Sequence, residues 1–292
     1  MSSSPSTITA ADIKTVGVVG SGIMGSGLAE VIARAGMKVI VRSRQQTSAD
    51  AMVAAVAKGL AKQVEKGRLA EDESAAILSR ITAVSDLKAL ADCDLIIESV
   101  VEDLATKKSL IAELDAIAKP SAIIGTNTST LPVIELAMST NRADKVCGIH
   151  FFNPATAMPL VEIVRPLSAS DETIGTATAF AEACGKQPVQ VQDRAGFIVN
   201  ALLFPYLNNA VRMLEQGTAS KEDIDAAMKG GCNFPMGPFA LLDLVGLDTS
   251  LAILDALYAE FRDPNYAAVP TLRRMVAAGQ LGRKTKVGFY SY

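Results

Sequence analysis

The sequence predicts an α/β domain built on a mostly parallel sheet with antiparallel end strands, followed by an all-helical domain. Three observations predict it. Short β-branched runs alternate with helical stretches as far as residue 192, the pattern of a parallel sheet with helices on both faces. VCGIHFF (146–152) and LVEIVR (160–165) are joined by only seven residues, NPATAMP, too few for a parallel crossover, so this pair is an antiparallel hairpin. From Phe197 onward there is no strand signal, only helical segments divided by Gly and Pro.

Taken in order, TVGVVG (15–20) is a strand and GIMGSGLAEVIARAG (22–36) a helix stopped by Gly36. A strand over 38–42 and a long helical region from about 48 to 79 follow. DLIIES (94–99) and AIIGT (122–126) are strands flanking a helix over about 103–118, and PVQVQ (188–192) closes the sheet. The second domain reads as helical segments over 197–217, 220–231, 237–261 and 271–282. Ser220 with Asp223 marks an N-terminal cap there. The domains are thus 1–12, a disordered leader; 13–194, the sheet domain; and 195–292, the helical domain.

Composition narrows the function. The chain has 292 residues, 49% hydrophobic and 20% charged, with a net charge of −3, so no basic excess points to nucleic acid. No apolar run reaches the roughly 18–20 residues that span a bilayer, and the polar MSSSPSTITAAD lacks the order of a signal peptide. Cys93, Cys147, Cys184 and Cys232 are far apart, so neither a disulfide framework nor a metal site is expected. The expected compartment is the cytoplasm.

GSGIMG (20–25) sits between a strand and an amphipathic helix, the context of a Rossmann-type dinucleotide site. Gly20 permits the tight turn, Gly22 lets backbone approach a pyrophosphate, and Gly25 allows close helix–strand packing. With Ile23 and Met24 they are cofactor-binding candidates. About twenty residues on, where such folds place a ribose-binding acid, VIVRSRQQ (39–46) offers Ser43 and Arg44 instead. An acid there would repel a ribose 2′-phosphate. Serine does not, and the arginine fork suits phosphate oxygens. The expected cofactor is NADP(H) in preference to NAD(H).

His150 is the only histidine. It ends a strand at the carboxyl edge of the sheet, where open α/β folds bind ligands. A hairpin symmetric about Thr156 puts Glu162 directly across from it, where a carboxylate fixes the imidazole tautomer for acid–base work. GTNTSTLPV (125–133) carries small hydroxyl residues at another strand end and reads locally as a cap for a helix over 131–139. GFIVN (196–200) opens a helix with Asn200 in its first turn. Lys58, Lys62 and Lys66 recur every four residues on one helix face, with Arg68 beyond.

GSGIMGSGLAE, ESVVEDLATKKSL, TNTSTL, HFFNPATAMPLVEIVR, GFIVN and NFPMGPFALLDLVGLDT together resemble the (S)-3-hydroxyacyl-CoA dehydrogenases, nearest the free-standing bacterial 3-hydroxybutyryl-CoA dehydrogenases. The resemblance runs from Lys14 to Tyr292. It implies His150 as catalytic base, Glu162 as its partner, and Ser129 and Asn200 as ligands of the reacting oxygen. It also implies Glu102, Lys107 and Asn127 at the nicotinamide half of the cofactor. Lys58, Lys62 and Lys66 would lie on a helical arm holding CoA. The helical domain would close the cleft and form a homodimer, and acyl-CoA would be the substrate. A relative acting on 3-hydroxyadipyl-CoA or gulonate, or a non-catalytic crystallin-like protein, would share much of this pattern. The chain departs from the family at five positions: Thr126 and Thr130 replace serines, Phe234 replaces a histidine, Lys286 replaces a glycine, and Ser43 replaces the acid.

Overall fold

The computed structural model describes residues 13–292, so the leader expected over 1–12 lies outside the described residues. Within them the chain divides into two compact units, the first ending at Asp193 and the second running from Arg194 to Tyr292.

The first unit opens with β1 (Thr15–Val19), α1 (Ile23–Arg34) and β2 (Lys38–Arg42), then α2 (Gln46–Glu65), α3 (Glu71–Ser79) and β3 (Ile81–Val84). It continues with β4 (Leu95–Glu98), α4 (Leu104–Ile117), β5 (Ile123–Thr126), α5 (Val133–Ala137), β6 (Val146–Phe151) and β7 (Leu160–Arg165), and ends with α6 (Asp171–Ala183) and β8 (Gln187–Gln192). The eight strands form one sheet in the order β3-β2-β1-β4-β5-β6-β7-β8. All neighbours are parallel except β6 and β7.

Side chains alternate along each strand between two cores. Val16, Val18, Leu95 and Ile97 face Leu28, Ile32, Met52 and Leu60 of α1 and α2. Val19, Ile96 and Ile124 face Leu110, Ile111 and Leu114 of α4. Both faces are therefore covered, which is why these strands read as near-continuous apolar runs. Strand order reverses between β1 and β4, so the loops leaving those strands flank the crevice where open α/β sheets take ligands.

Several elements differ from the sequence expectation. The helical region over 48–79 is two helices: α2 ends at Glu65, Gly67 takes φ 64°, and α3 starts at Glu71. Lys66 is consequently the cap beyond α2 rather than part of its face. β3 is a four-residue edge strand, too short for its ITAV pattern to stand out. α6 has no counterpart among the expected elements because DETIGTATAFAEA is mostly Thr and Ala, with few large apolar residues to mark a face. Its start is nonetheless well marked, the Ser170 hydroxyl accepting from the Thr173 N–H at 3.1 Å.

The second unit is helical: α7 (Val199–Glu215), α8 (Lys221–Cys232), α9 (Pro238–Val245), α10 (Leu247–Phe261) and α11 (Pro270–Ala277). It has its own core, with Phe204, Leu207, Phe239, Leu254, Leu257 and Leu272 buried together. Ser220 caps α8 by accepting from the Asp223 N–H. The stretch 237–261 is interrupted at Gly246, φ 102°, which divides α9 from α10. Among the described residues no helix is long and apolar enough to cross a membrane.

Candidate active site

The turn after β1 is shaped by what cannot fit there. A Cβ on Gly20, at φ 126°, would lie 2.3 Å from the carbonyl oxygen of Ser99, in the loop leaving β4. A Cβ on Gly25 would lie 2.0 Å from the Gly20 oxygen, so the close approach is between α1 and the turn rather than the strand itself. A Cβ on Gly22, by contrast, would meet nothing within 4 Å. Gly22 caps α1 without any side-chain hydrogen bond, leaving first-turn N–H groups free toward open space. That is the cradle an anionic pyrophosphate fills. A cleft of about 370 Å³ adjoins it, lined by Ser21, Gly22, Ile23, Ser26, Ser48 and Met52 among others. Ile23 is 78% exposed at its rim, and Met24 is half-buried.

Ser43 follows β2 and is mostly buried. Its hydroxyl donates to Ser21 Oγ at 3.0 Å, tying the end of β2 to the glycine turn. Arg42 is committed elsewhere, its Nε donating to the Ser85 carbonyl at 3.1 Å. Arg44 is exposed. Position 43 thus presents a hydroxyl beside Ser21 and no carboxylate.

At the carboxyl end of β6, His150 stands opposite Glu162 of β7 in the expected register. Glu162 Oε2 is 2.8 Å from His150 Nδ1, and both residues are buried. Because a carboxylate only accepts, Nδ1 carries the proton and Nε2 of the neutral ring is left as a lone-pair base. Ser129 Oγ lies 3.0 Å from that Nε2. Phe152 packs against the ring with centroids 4.6 Å apart, helping hold its plane.

Ser129 sits in a turn gripped by Glu102. Glu102 Oε1 accepts from Thr128 Oγ1 at 2.5 Å, from the Ser129 N–H at 2.8 Å and from the Thr130 N–H at 3.2 Å. Asn127 Oδ1 accepts from the Phe151 N–H at 2.8 Å, joining the end of β5 to that of β6. Lys107, expected at the cofactor, is enclosed: Nζ lies 2.7 Å from Glu98 Oε1 and 3.3 Å from Glu102 Oε2. Glu102, its side chain 38% exposed, is the member of that pair presented to the surface. The helix expected over 131–139 is only α5, and the TNTST residues do not cap it. The Asp193 carboxylate does, accepting from the Val133 and Ile134 N–H groups at 2.9 and 2.6 Å.

Two contributors escaped the sequence reading. Glu98 is fully buried at the end of β4 and accepts from Thr126 Oγ1 at 2.8 Å as well as from Lys107. An acid closing an otherwise apolar strand buried on both faces was the available signal. Ser21 drew no notice because the middle position of a glycine turn carries no charge.

Of the other expected site residues, Lys58, Lys62 and Lys66 are all exposed. In the second unit Asn200 lies in the first turn of α7 and is 8% exposed. There too Phe234 packs edge-on against Tyr206, ring centroids 5.7 Å apart, and Lys286 occupies the left-handed region at φ 63°.

Comparison with known proteins identifies the family. Residues 15–194 match the family model of the 3-hydroxyacyl-CoA dehydrogenase NAD binding domain, and residues 196–292 that of the 3-hydroxyacyl-CoA dehydrogenase C-terminal domain. The chain is 47% identical to a 3-hydroxybutyryl-CoA dehydrogenase of Clostridioides difficile over 94% of this chain and 98% of that one. It is 46% identical to one of Mycobacterium tuberculosis over 96% and 99% of the two chains. The crystal structure of (S)-3-hydroxybutyryl-CoA dehydrogenase from Ralstonia eutropha is similar with a TM-score of 0.93 at 42% identity, covering 96% of this chain and 99% of that one. With both halves matched and relatives aligned nearly end to end, the chain belongs to the 3-hydroxyacyl-CoA dehydrogenase family.

Proposed function

We propose that this protein interconverts acetoacetyl-CoA and (S)-3-hydroxybutyryl-CoA, prefers NADP(H) while also accepting NAD(H), and works as a homodimer. The observation that carries the reaction is the Glu162–His150–Ser129 alignment at the carboxyl edge of the sheet. The names of the relatives supply the substrate class.

The glycine turn, Ser43, Arg44, Glu102 and Asn127 would hold the nicotinamide dinucleotide, with Lys107 behind Glu102. Once bound, the dinucleotide supplies the hydride acceptor or donor. In the oxidising direction His150 Nε2 takes the proton of the 3-hydroxyl, and Glu162 stabilises the imidazolium that forms. In the reducing direction the same nitrogen returns the proton to the 3-oxygen. Ser129, already within hydrogen-bond reach of Nε2, would hold that oxygen beside it. Asn200 would be its second ligand, as in the family. Lys58, Lys62 and Lys66 supply exposed positive charge for CoA phosphates.

Steady-state assays with acetoacetyl-CoA and with gulonate test the reading. Reduction of acetoacetyl-CoA with no activity on gulonate is expected. Activity on gulonate alone, or on neither, would overturn it.

A further inference from the structure

Glu98 has no place in the reaction just described, yet its environment is the most specific in the sheet. Its carboxylate is wholly enclosed and accepts three hydrogen bonds: from the Val100 N–H at 2.6 Å, Lys107 Nζ at 2.7 Å and Thr126 Oγ1 at 2.8 Å. Burying an ion pair is costly, and an apolar pair of similar volume is often at least as stable. Stability alone is therefore a weak reason for a charge here.

The connections lead to the imidazole. Lys107 is shared between two carboxylates, closer to Glu98 Oε1 than to Glu102 Oε2. Glu102 uses its other oxygen to grip Thr128, Ser129 and Thr130. Ser129 in turn places its hydroxyl on His150 Nε2. Glu98 and Glu102 thus share one ammonium, so a change at Glu98 bears on the Glu102 carboxylate and on the turn it holds.

We propose that Glu98 is a positioning residue for the reaction, acting through Lys107 and Glu102 to aim the Ser129 hydroxyl at His150. The proposal rests on the function proposed above. In Glu98→Gln the shape is kept but the charge is lost. The amide oxygen can still accept from the Val100 N–H and Lys107, but without the charge it holds the ammonium less strongly, so Lys107 shifts toward Glu102 and the turn moves with it.

The test is a double-mutant cycle in the full-length protein, Glu98→Gln against Ser129→Ala. It is read by kcat and KM for acetoacetyl-CoA and by the 15N resonances of the single imidazole. Glu98→Gln lowers kcat about tenfold with KM changed less than about threefold, and adds less than about twofold to the loss in Ser129→Ala. The Nε2 resonance of Glu98→Gln moves toward its position in Ser129→Ala. Multiplicative losses, or an Nε2 resonance coincident with wild type, overturn the proposal. Should Glu98→Gln fail to fold, the pair Glu98→Gln/Lys107→Met removes both charges and is judged by the same cycle. A wild type inactive on acetoacetyl-CoA sinks the proposed function instead, and the imidazole resonance, which needs no substrate, still decides on Glu98.

Discussion

Glu162 Oε2 stands 2.8 Å from His150 Nδ1 across a directly opposed pair of antiparallel strands. A loop would let the two drift, whereas the hydrogen-bonded ladder on either side holds the spacing. The pairing orients the ring so that Nε2 faces Ser129, the nitrogen proposed as the base.

His150→Gln is therefore expected to lower turnover by about 10²–10⁴-fold with the fold retained. Circular dichroism and cofactor binding should match wild type. A variant retaining more than about a tenth of wild-type turnover would show that another group moves the proton. As the chain has no other histidine, inactivation by a histidine-selective reagent should map to this ring.

The helical unit carries large apolar side chains in contact with solvent: Leu202 at 72% exposure, Leu244 at 49%, Met213 and Phe234 at 42%. Where exposed apolar side chains lie together they are commonly covered by a partner, as the proposed homodimer would do. Light scattering is expected to give twice the 30.6 kDa chain mass. A mass of one chain, unchanged with concentration, would rule out the homodimer.

Asp115 illustrates an acid-sensitive brace. Burial alone would raise its pKa, but the Asn141 N–H at 2.8 Å and Arg142 Nε at 2.5 Å outweigh that and hold it below the ordinary carboxylate value. The same guanidinium donates to the Asp115, Ala118 and Lys119 carbonyls, closing the end of α4. A carboxyl depressed in the folded state stabilises above its unfolded pKa, about 4, and the benefit drains as pH falls through the folded value. Wild type should melt above Asp115→Asn at pH 6, and the gap should narrow below about pH 4. A gap that does not depend on pH would assign the effect to packing.

Lys286 tests backbone strain. At φ 63° a non-glycine residue costs about 1–2 kcal/mol, against about 0.5–1 kcal/mol for the extra unfolded freedom of glycine. Lys286→Gly should raise the melting temperature by roughly 1–3 °C. A lower value would mean that the lysine side chain contributes more than its backbone costs.

What could be read in advance followed local rules. Strand pairing by symmetry about Thr156 located Glu162 opposite His150, because an antiparallel register is set by the loop between the strands. The glycine turn was legible because its spacing answers to steric limits of the backbone. The break between α2 and α3 was missed because apolar spacing continues across Gly67, whose positive φ only the folded chain reveals. Glu98 was missed for another reason: Lys107 and Thr126 lie nine and 28 residues away, brought to it by the crossover helix and the neighbouring strand. Long-range polar networks leave little local trace in a sequence.

Cofactor choice is the remaining prediction, and it turns on position 43. Ser43 is held by its own donation to Ser21 Oγ, so its backbone and the glycine turn move as one piece. A carboxylate at this point would accept from ribose hydroxyls and would repel a 2′-phosphate a few ångströms away. Ser43 does neither, and Arg44, exposed and next in the chain, adds a permanent positive charge. Arg42 is partly engaged, its Nε donating to the Ser85 carbonyl. The kcat/KM ratio of NADPH to NADH with acetoacetyl-CoA should be about tenfold or more in favour of NADPH, equivalent to about 1.4 kcal/mol. Ser43→Asp should collapse or invert that ratio chiefly by weakening NADPH, and Arg44→Ala should reduce it while sparing NADH. Each effect should shrink as ionic strength rises, since the interacting charges are partly solvated. Equal or better use of NADH by the wild type would end the assignment, leaving Arg44 as a solvated surface charge.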